Sequence, residues 1–271
     1  MRYESETLDS RLSSLSPELR GHVRVLREQV FGSSTFLPQF DLLLSDILDF
    51  REKFLDQETV VSLERMMLYG KNLFAPLFVE SNFVSLDSSP LSADVRGAYN
   101  AHLVDHQDFI NTPCKSVRCP ADRLDFPDAR ADLVMVPNLV HHVENQAALW
   151  SEAVRILKPG ATLYVFEPTL REVHQDPDDF LRYTPSGLRS VLSTHGLQTV
   201  EITTTGGPFS AIAYCWTQAL QYITPDMRKD WSDWFSSHYQ DLMGLEQQFP
   251  TNLVRQYTSF PTAFSLRAIK I

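Results

Sequence analysis

Residues 131–168 read ADLVMVPNLVHHVENQAALWSEAVRILKPGATLYVFEP, and their order decides the fold. ADLVMVPN (131–138) is a continuous apolar run, suited to a strand buried on both faces. NQAALWSEAVRILKPG places Leu149, Trp150, Ala153, Val154 and Leu157 on one helical stripe, and Pro159-Gly160 stop it. ATLYVFEP (161–168) is a second buried strand. Strand, helix and strand in that order form one βαβ unit of a parallel sheet, with a right-handed crossover.

The same alternation extends outward. FVSLD (83–87) and SVRC (116–119) read as shorter strands upstream. Downstream, TPSGLRSVLSTHG is a helix with Thr184 as cap, Pro185 in its first turn and Gly196 past its end. LQTVEITTT (197–205) alternates with period two. The expected class is α/β, a Rossmann-like doubly wound sheet. Residues 1–58 read instead as an N-terminal helical extension. SPELRGHVRVLREQV starts on a Ser16-Pro17-Glu18 cap, and DLLLSDILDFREKFL repeats its apolar residues at helical spacing. Residues 59–271 then form the α/β domain, interrupted at about 206–260 by a helical, aromatic-rich cap before the β-rich tail TAFSLRAIKI (262–271). Residues 57–80 suit two readings: a strand followed by a turn and helix, or helix throughout, since Val60, Leu63, Met67 and Phe74 keep helical spacing.

Composition narrows the partners. The formal net charge of -10 repels phosphate backbones, so a nucleic-acid partner is not expected. No apolar run is long enough to span a bilayer, and MRYESETLDSRLSSL lacks a secretory h-region, so a cytoplasmic protein without a membrane partner is expected. Three cysteines suit a reducing compartment. The Cys114–Cys119 spacing is not a zinc pair, HExxH is absent, and no metal is expected from chain spacing. The oligomeric state is not legible.

Several fragments together resemble class I S-adenosylmethionine-dependent methyltransferases, of the methyltransferase type 11 kind, over roughly residues 60–271. They are PADRLDFPDARADLV, VPNLVHHV, VRILKPGATLYVFEP and FLRYTPSGLRSVLSTHGLQTVEI, in that order. The resemblance implies an antiparallel last strand and S-adenosylmethionine as cofactor. One departure stands out. Glu64 is followed by Met66, Leu68 and Gly70 where the family has three glycines, although the 17 positions from Gly70 to Asp87 keep the family's spacing.

The carboxyl ends of the strands are where an open α/β sheet binds ligands. Cofactor contacts are therefore expected from Glu64, Gly70, Asp87 (ribose hydroxyls), Asp122 (adenine), Arg123 and Asn138. His141 and His142 are candidate bases because imidazole titrates near neutrality, although adjacent side chains diverge and only one is expected to face the pocket. His174, in the loop after the second buried strand, is the preferred base, with Arg182 and Tyr183 as substrate contacts. These readings point to methylation of a small-molecule acceptor, such as a natural-product or sugar-like intermediate. The alternative is a methyltransferase-like scaffold that has lost the usual cofactor pose and serves as an assembly partner or catalyses other chemistry. A nicotinamide oxidoreductase is disfavoured, because no intact G-x-G-x-x-G is present.

Overall fold

The computed structural model describes residues 8–30, 39–55, 57–65, 72–89, 114–174, 177–247 and 260–271. Its frame is a seven-stranded sheet: β1 (Thr59–Glu64), β2 (Asn82–Asp87), β3 (Lys115–Arg118), β4 (Ala131–Pro137), β5 (Leu157–Pro168), β6 (Leu197–Thr205) and β7 (Ala263–Lys270). Their spatial order is β3-β2-β1-β4-β5-β7-β6. Pairings among β1 to β5 are parallel, and β7 runs antiparallel to both β5 and β6. Strand order reverses between β1 and β4, which places the topological switch point there. The open question at residues 57–80 is settled for its first half, since Thr59–Glu64 is a strand with five buried residues.

Each face of the sheet has its own core. On one face, α1 (Leu8–Ser14), α2 (Pro17–Val25) and α3 (Gln39–Lys53) pack on Val60, Leu133, Met135, Tyr164 and Phe166. On the other, α4 (Gln146–Ile156) and α5 (Pro185–Thr194) cover Val61, Leu63, Val134, Val136, Leu163 and Val165. Strict alternation along β4 and β5 sends neighbouring apolar residues to opposite faces, which is why these strands read as unbroken apolar runs. α2 starts on Ser16, whose hydroxyl accepts from Leu19 N–H, and α5 starts on Thr184, whose hydroxyl accepts from Gly187 N–H. The first helical face is pinned by charge as well as by area. Arg267 on β7 pairs with Asp46 and, at 3.1 Å, with Asp49 of α3, and the Tyr164 hydroxyl donates to Asp46 at 3.1 Å.

The helix of the βαβ unit ends one residue earlier than its stripe suggests. Leu157 already belongs to β5, and Ile156 takes the fully buried place. β5 runs through Pro159-Gly160, with Gly160 at φ 76° making the sharp change of direction. The cap consists of α6 (Pro208–Ala219) and α7 (Pro225–Gln247), which share a small core of Ala213, Phe235 and Tyr239 with Trp216 against it. Among the described residues, no helix is long and apolar enough to cross a membrane.

Candidate active site

The carboxyl edge of the sheet holds two groups of polar residues. The first lies at β1 and β2, where Glu64 and Asp87 are register partners. Glu64 is buried, and its carboxyl group accepts from the Ser85 hydroxyl at 2.8 Å and from Asn72 Nδ2 at 2.9 Å. Burial, reinforced by the nearby Asp87 charge, pushes Glu64 up to about 8. Glu64 thus ties β1 to β2 and to Asn72. Asp87 is also buried, and one carboxylate oxygen accepts from Ser89 N–H at 2.8 Å. Gly70, Met66 and Leu68 lie outside the described residues. Asp122 is half-buried and Arg123 exposed in the turn after β3. That turn is held by α4: Leu124 N–H donates to Glu152, and Arg155 donates to the carbonyls of Leu124 and Phe126.

The second group lies at β4 and β5. Pro137 ends β4, and Asn138 follows at φ 58°, a left-handed position that asparagine tolerates better than most residues. Its N–H donates to Phe166 O at 2.7 Å, while its buried side-chain oxygen has no hydrogen-bond partner. The chain then makes a 3-10 turn over Val140–His142. This turn changes the expectation for the two histidines. Consecutive side chains on a helical turn splay far less than on an extended strand. His141 and His142 therefore both face one cluster, with ring centroids 4.0 Å apart, and His174 joins from the loop after β5 at 5.2 and 4.9 Å.

Every ring is held through Nδ1. His142 Nδ1–H donates to the Asp178 carbonyl at 2.6 Å. His174 Nδ1 lies 3.1 Å from an Asp179 carboxylate oxygen and 3.2 Å from the Glu172 carbonyl. His141 Nδ1 meets Glu167 at 2.7 Å, and the second Glu167 oxygen accepts from Val140 N–H at 2.7 Å. A carbonyl can only accept, so for His142 the proton sits on Nδ1 and the lone pair on Nε2. Burial lowers all three imidazoles, His141 to about 3 and His174 to about 4, with Arg182 and Arg171 adding to the effect at His141. Burial therefore favours the neutral imidazole in all three. Burial also pushes Glu167 up to about 8. For Asp179, burial opposes the charge, but hydrogen bonds from Arg182 and the His174 N–H outweigh it and hold the carboxyl low.

Arg182 is clamped to Asp179, with Nη2 at 2.8 Å, and donates to the Leu181 and Glu172 carbonyls. Arg182 thereby holds the loop that carries His174. Tyr183 packs against the core beneath α5. Glu167, Asp178 and Asp179 complete the cluster. A signal for Glu167 was present in the sequence, as an acid at the end of an otherwise apolar buried strand. Asp179 carried none, because its role depends on the loop's folding back. Beside the same loop, a cavity of about 1250 Å³ is lined largely by apolar side chains, including Leu170, Ile202, Ala211, Ile212 and Trp216.

Residues 71–165 match the family model described as a methyltransferase domain. No curated protein matches the chain by sequence. Among solved structures, the fold is similar to that of the chain assigned as a methyltransferase in a complex with the Trm112 methyltransferase activator of Haloferax volcanii. Identity is 17%, coverage is 99% of this chain and 98% of that chain, and the TM-score is 0.52. It is also similar to the [4+2]-cyclase SpnF, with 14% identity, 93% and 94% coverage and a TM-score of 0.50. The match over residues 71–165 implies a methyltransferase domain, and S-adenosylmethionine is the cofactor that such a domain would use. Two features of the edge fit that cofactor. Asp87 stands at the end of β2 beside the switch point, and Asn138 offers an unmet buried acceptor at the end of β4.

Proposed function

We propose that the protein methylates a small-molecule acceptor bound between the histidine cluster and the cap. S-adenosylmethionine supplies an electrophilic sulfonium methyl group when bound. On this reading Asp87 accepts hydrogen bonds from the ribose hydroxyls, Asp122 serves the adenine side, and Asn138 accepts from a donor of the methionine moiety. The observation that carries the reading is the set of three neutral imidazoles at the end of β4 and β5, next to the switch point. A neutral imidazole held through Nδ1 can take an acceptor proton at Nε2. Thr169 and Leu170 line the apolar cavity, and His174 follows four residues later on the same segment. A volume of about 1250 Å³ suits a small molecule rather than a polymer. Few cysteines, none in a disulfide among the described residues, support a cytoplasmic setting.

Two measurements test this. Calorimetric titration with S-adenosylmethionine should show saturable binding, and a folded protein silent at millimolar ligand refutes the cofactor pose. Methyl-labelled S-adenosylmethionine added with cell extract should deliver label to the low-mass fraction. Label in protein or nucleic acid overturns the acceptor class. A second reading rests on Met66 and Leu68 at the family's glycine positions. It is a scaffold of the same fold that no longer transfers methyl groups, and absence of cofactor binding would favour it.

A further inference from the structure

We propose that His141, His142 and His174 form a site for one divalent transition-metal ion of the zinc class, held by three imidazole nitrogens with a fourth position open. One ligand atom from each histidine lies within 4.8 Å of the other two. The Nδ1 atoms are committed to Glu167, to the Asp178 carbonyl and to Asp179, which leaves Nε2 of each ring for the ion. His141 and His174 have buried Nε2 atoms with no hydrogen-bond partner. In the tautomer with each proton on Nδ1, three Nε2 lone pairs brought together in a buried space repel one another unless something positive lies between them. A single water has two protons to offer and leaves one lone pair unmet. A metal ion satisfies all three.

The surroundings are those of a metal centre. Metal-bound histidines commonly donate their other ring N–H to a carboxylate or a backbone carbonyl, which fixes the tautomer and the ring orientation. All three histidines here have that kind of partner. Of the cationic side chains nearby, Arg65 pairs with Asp178 at 2.5 Å, Arg182 with Asp179, and Arg171 with Glu172 at 3.8 Å. Metal–nitrogen bonds of about 2.0–2.1 Å in a tetrahedron put the nitrogens about 3.3 Å apart, so the rings would draw together on binding. Three histidines and no thiolate favour zinc, cobalt, nickel or iron over the oxygen-loving cations. An acceptor hydroxyl in the open position would be acidified by the ion instead of by an imidazole base. The site rests on the imidazole geometry and not on the acceptor reading above, so metal binding and methyl transfer can fail separately.

The test uses untagged, chelator-treated protein titrated with Zn²⁺ by calorimetry and with Co²⁺ by visible absorption. Binding of one ion per chain is expected, with the intense visible bands of four-coordinate Co²⁺ and no thiolate charge-transfer band. His174→Asn, in an irregular loop, should weaken binding by about 100-fold or more with circular dichroism unchanged. Glu167→Gln should weaken it by about 10- to 100-fold, the usual effect of losing a ligand's orienting partner. Wild-type protein that takes up no stoichiometric ion, a thiolate band, or undiminished binding by folded His174→Asn overturns the site. The wild-type titration decides the question even where a variant fails to fold.

Discussion

The β4–β5 end and the β1–β2 end of the carboxyl edge share a sheet and a core but are built on different principles. At β4–β5, three imidazoles converge, each oriented by a carboxylate or a carbonyl. Side chains do the work, and each imidazole is held through Nδ1. At β1–β2, the carboxyl of Glu64 is spent on Ser85 and Asn72, and Asp87 is the acid left at the strand end. In the family this end relies on bare backbone, which glycines expose; here Met66 and Leu68 stand at two of the three positions. A site made of side chains can be strengthened without disturbing the fold. A site made of backbone depends on what side chains leave out.

The largest expected effect of breaking this contrast is at Glu167. Glu167→Ala removes the acceptor for Val140 N–H and the partner of His141 at a fully buried position. It should cost about 2–4 kcal/mol in denaturant unfolding. A loss below about 0.5 kcal/mol would mean that water replaces the carboxyl group freely and that the cluster is not rigid. Asp87→Ala probes the other end. Losing charged acceptance of ribose hydroxyls should weaken S-adenosylmethionine binding by about 10- to 100-fold by calorimetry. Unchanged affinity detaches Asp87 from the cofactor.

Glu64 gives the comparison a pH axis. Its folded value is raised to about 8 from an ordinary 4.5, so the uncharged form is favoured in the core. The stability this confers is complete below about 4.5 and is lost as pH rises through about 8. Glu64→Gln should therefore flatten the melting temperature against pH. The variant should overtake the wild type on the alkaline side by on the order of 1–2 kcal/mol. Parallel pH profiles for the two proteins would rule out a protonated Glu64. The smallest effect is at the helix behind the histidines. Asn145 caps α4 by accepting from Ala148 N–H at 3.1 Å, and Asn145→Ala should cost about 1 kcal/mol. Cofactor affinity should not change, and a loss there would show that the two ends are coupled through α4.

Much of the frame was legible in the chain. The apolar run at 131–138, the Thr184-Pro185 cap and the alternation over 197–205 each mark an element that forms where its local pattern indicates, and the run at 161–168 is a strand that starts earlier, at Leu157. The strand at 59–64 was not, because TVVSLE suits a helix or a strand about equally and burial between β2 and β4 decides it. In the candidate site, His174, His141 and His142 stood out as residue types. Their joint orientation did not, because adjacent histidines look divergent until the 3-10 turn at Val140–His142 brings both to one side. Arg182 and Tyr183 stood out equally; the fold clamps Arg182 to Asp179 and packs Tyr183 against the core.

The sequence by itself determined the sheet, its crossovers and the edge where ligands meet it, because periodicity and capping are local properties of a few consecutive residues. Only the tertiary structure decided that three histidines, separated by more than thirty positions at their extremes, share one space, and that Glu167, Asp178 and Asp179 aim them. Hydrogen-bond partners and lone-pair directions are properties of folded geometry, and no spacing along the chain encodes them.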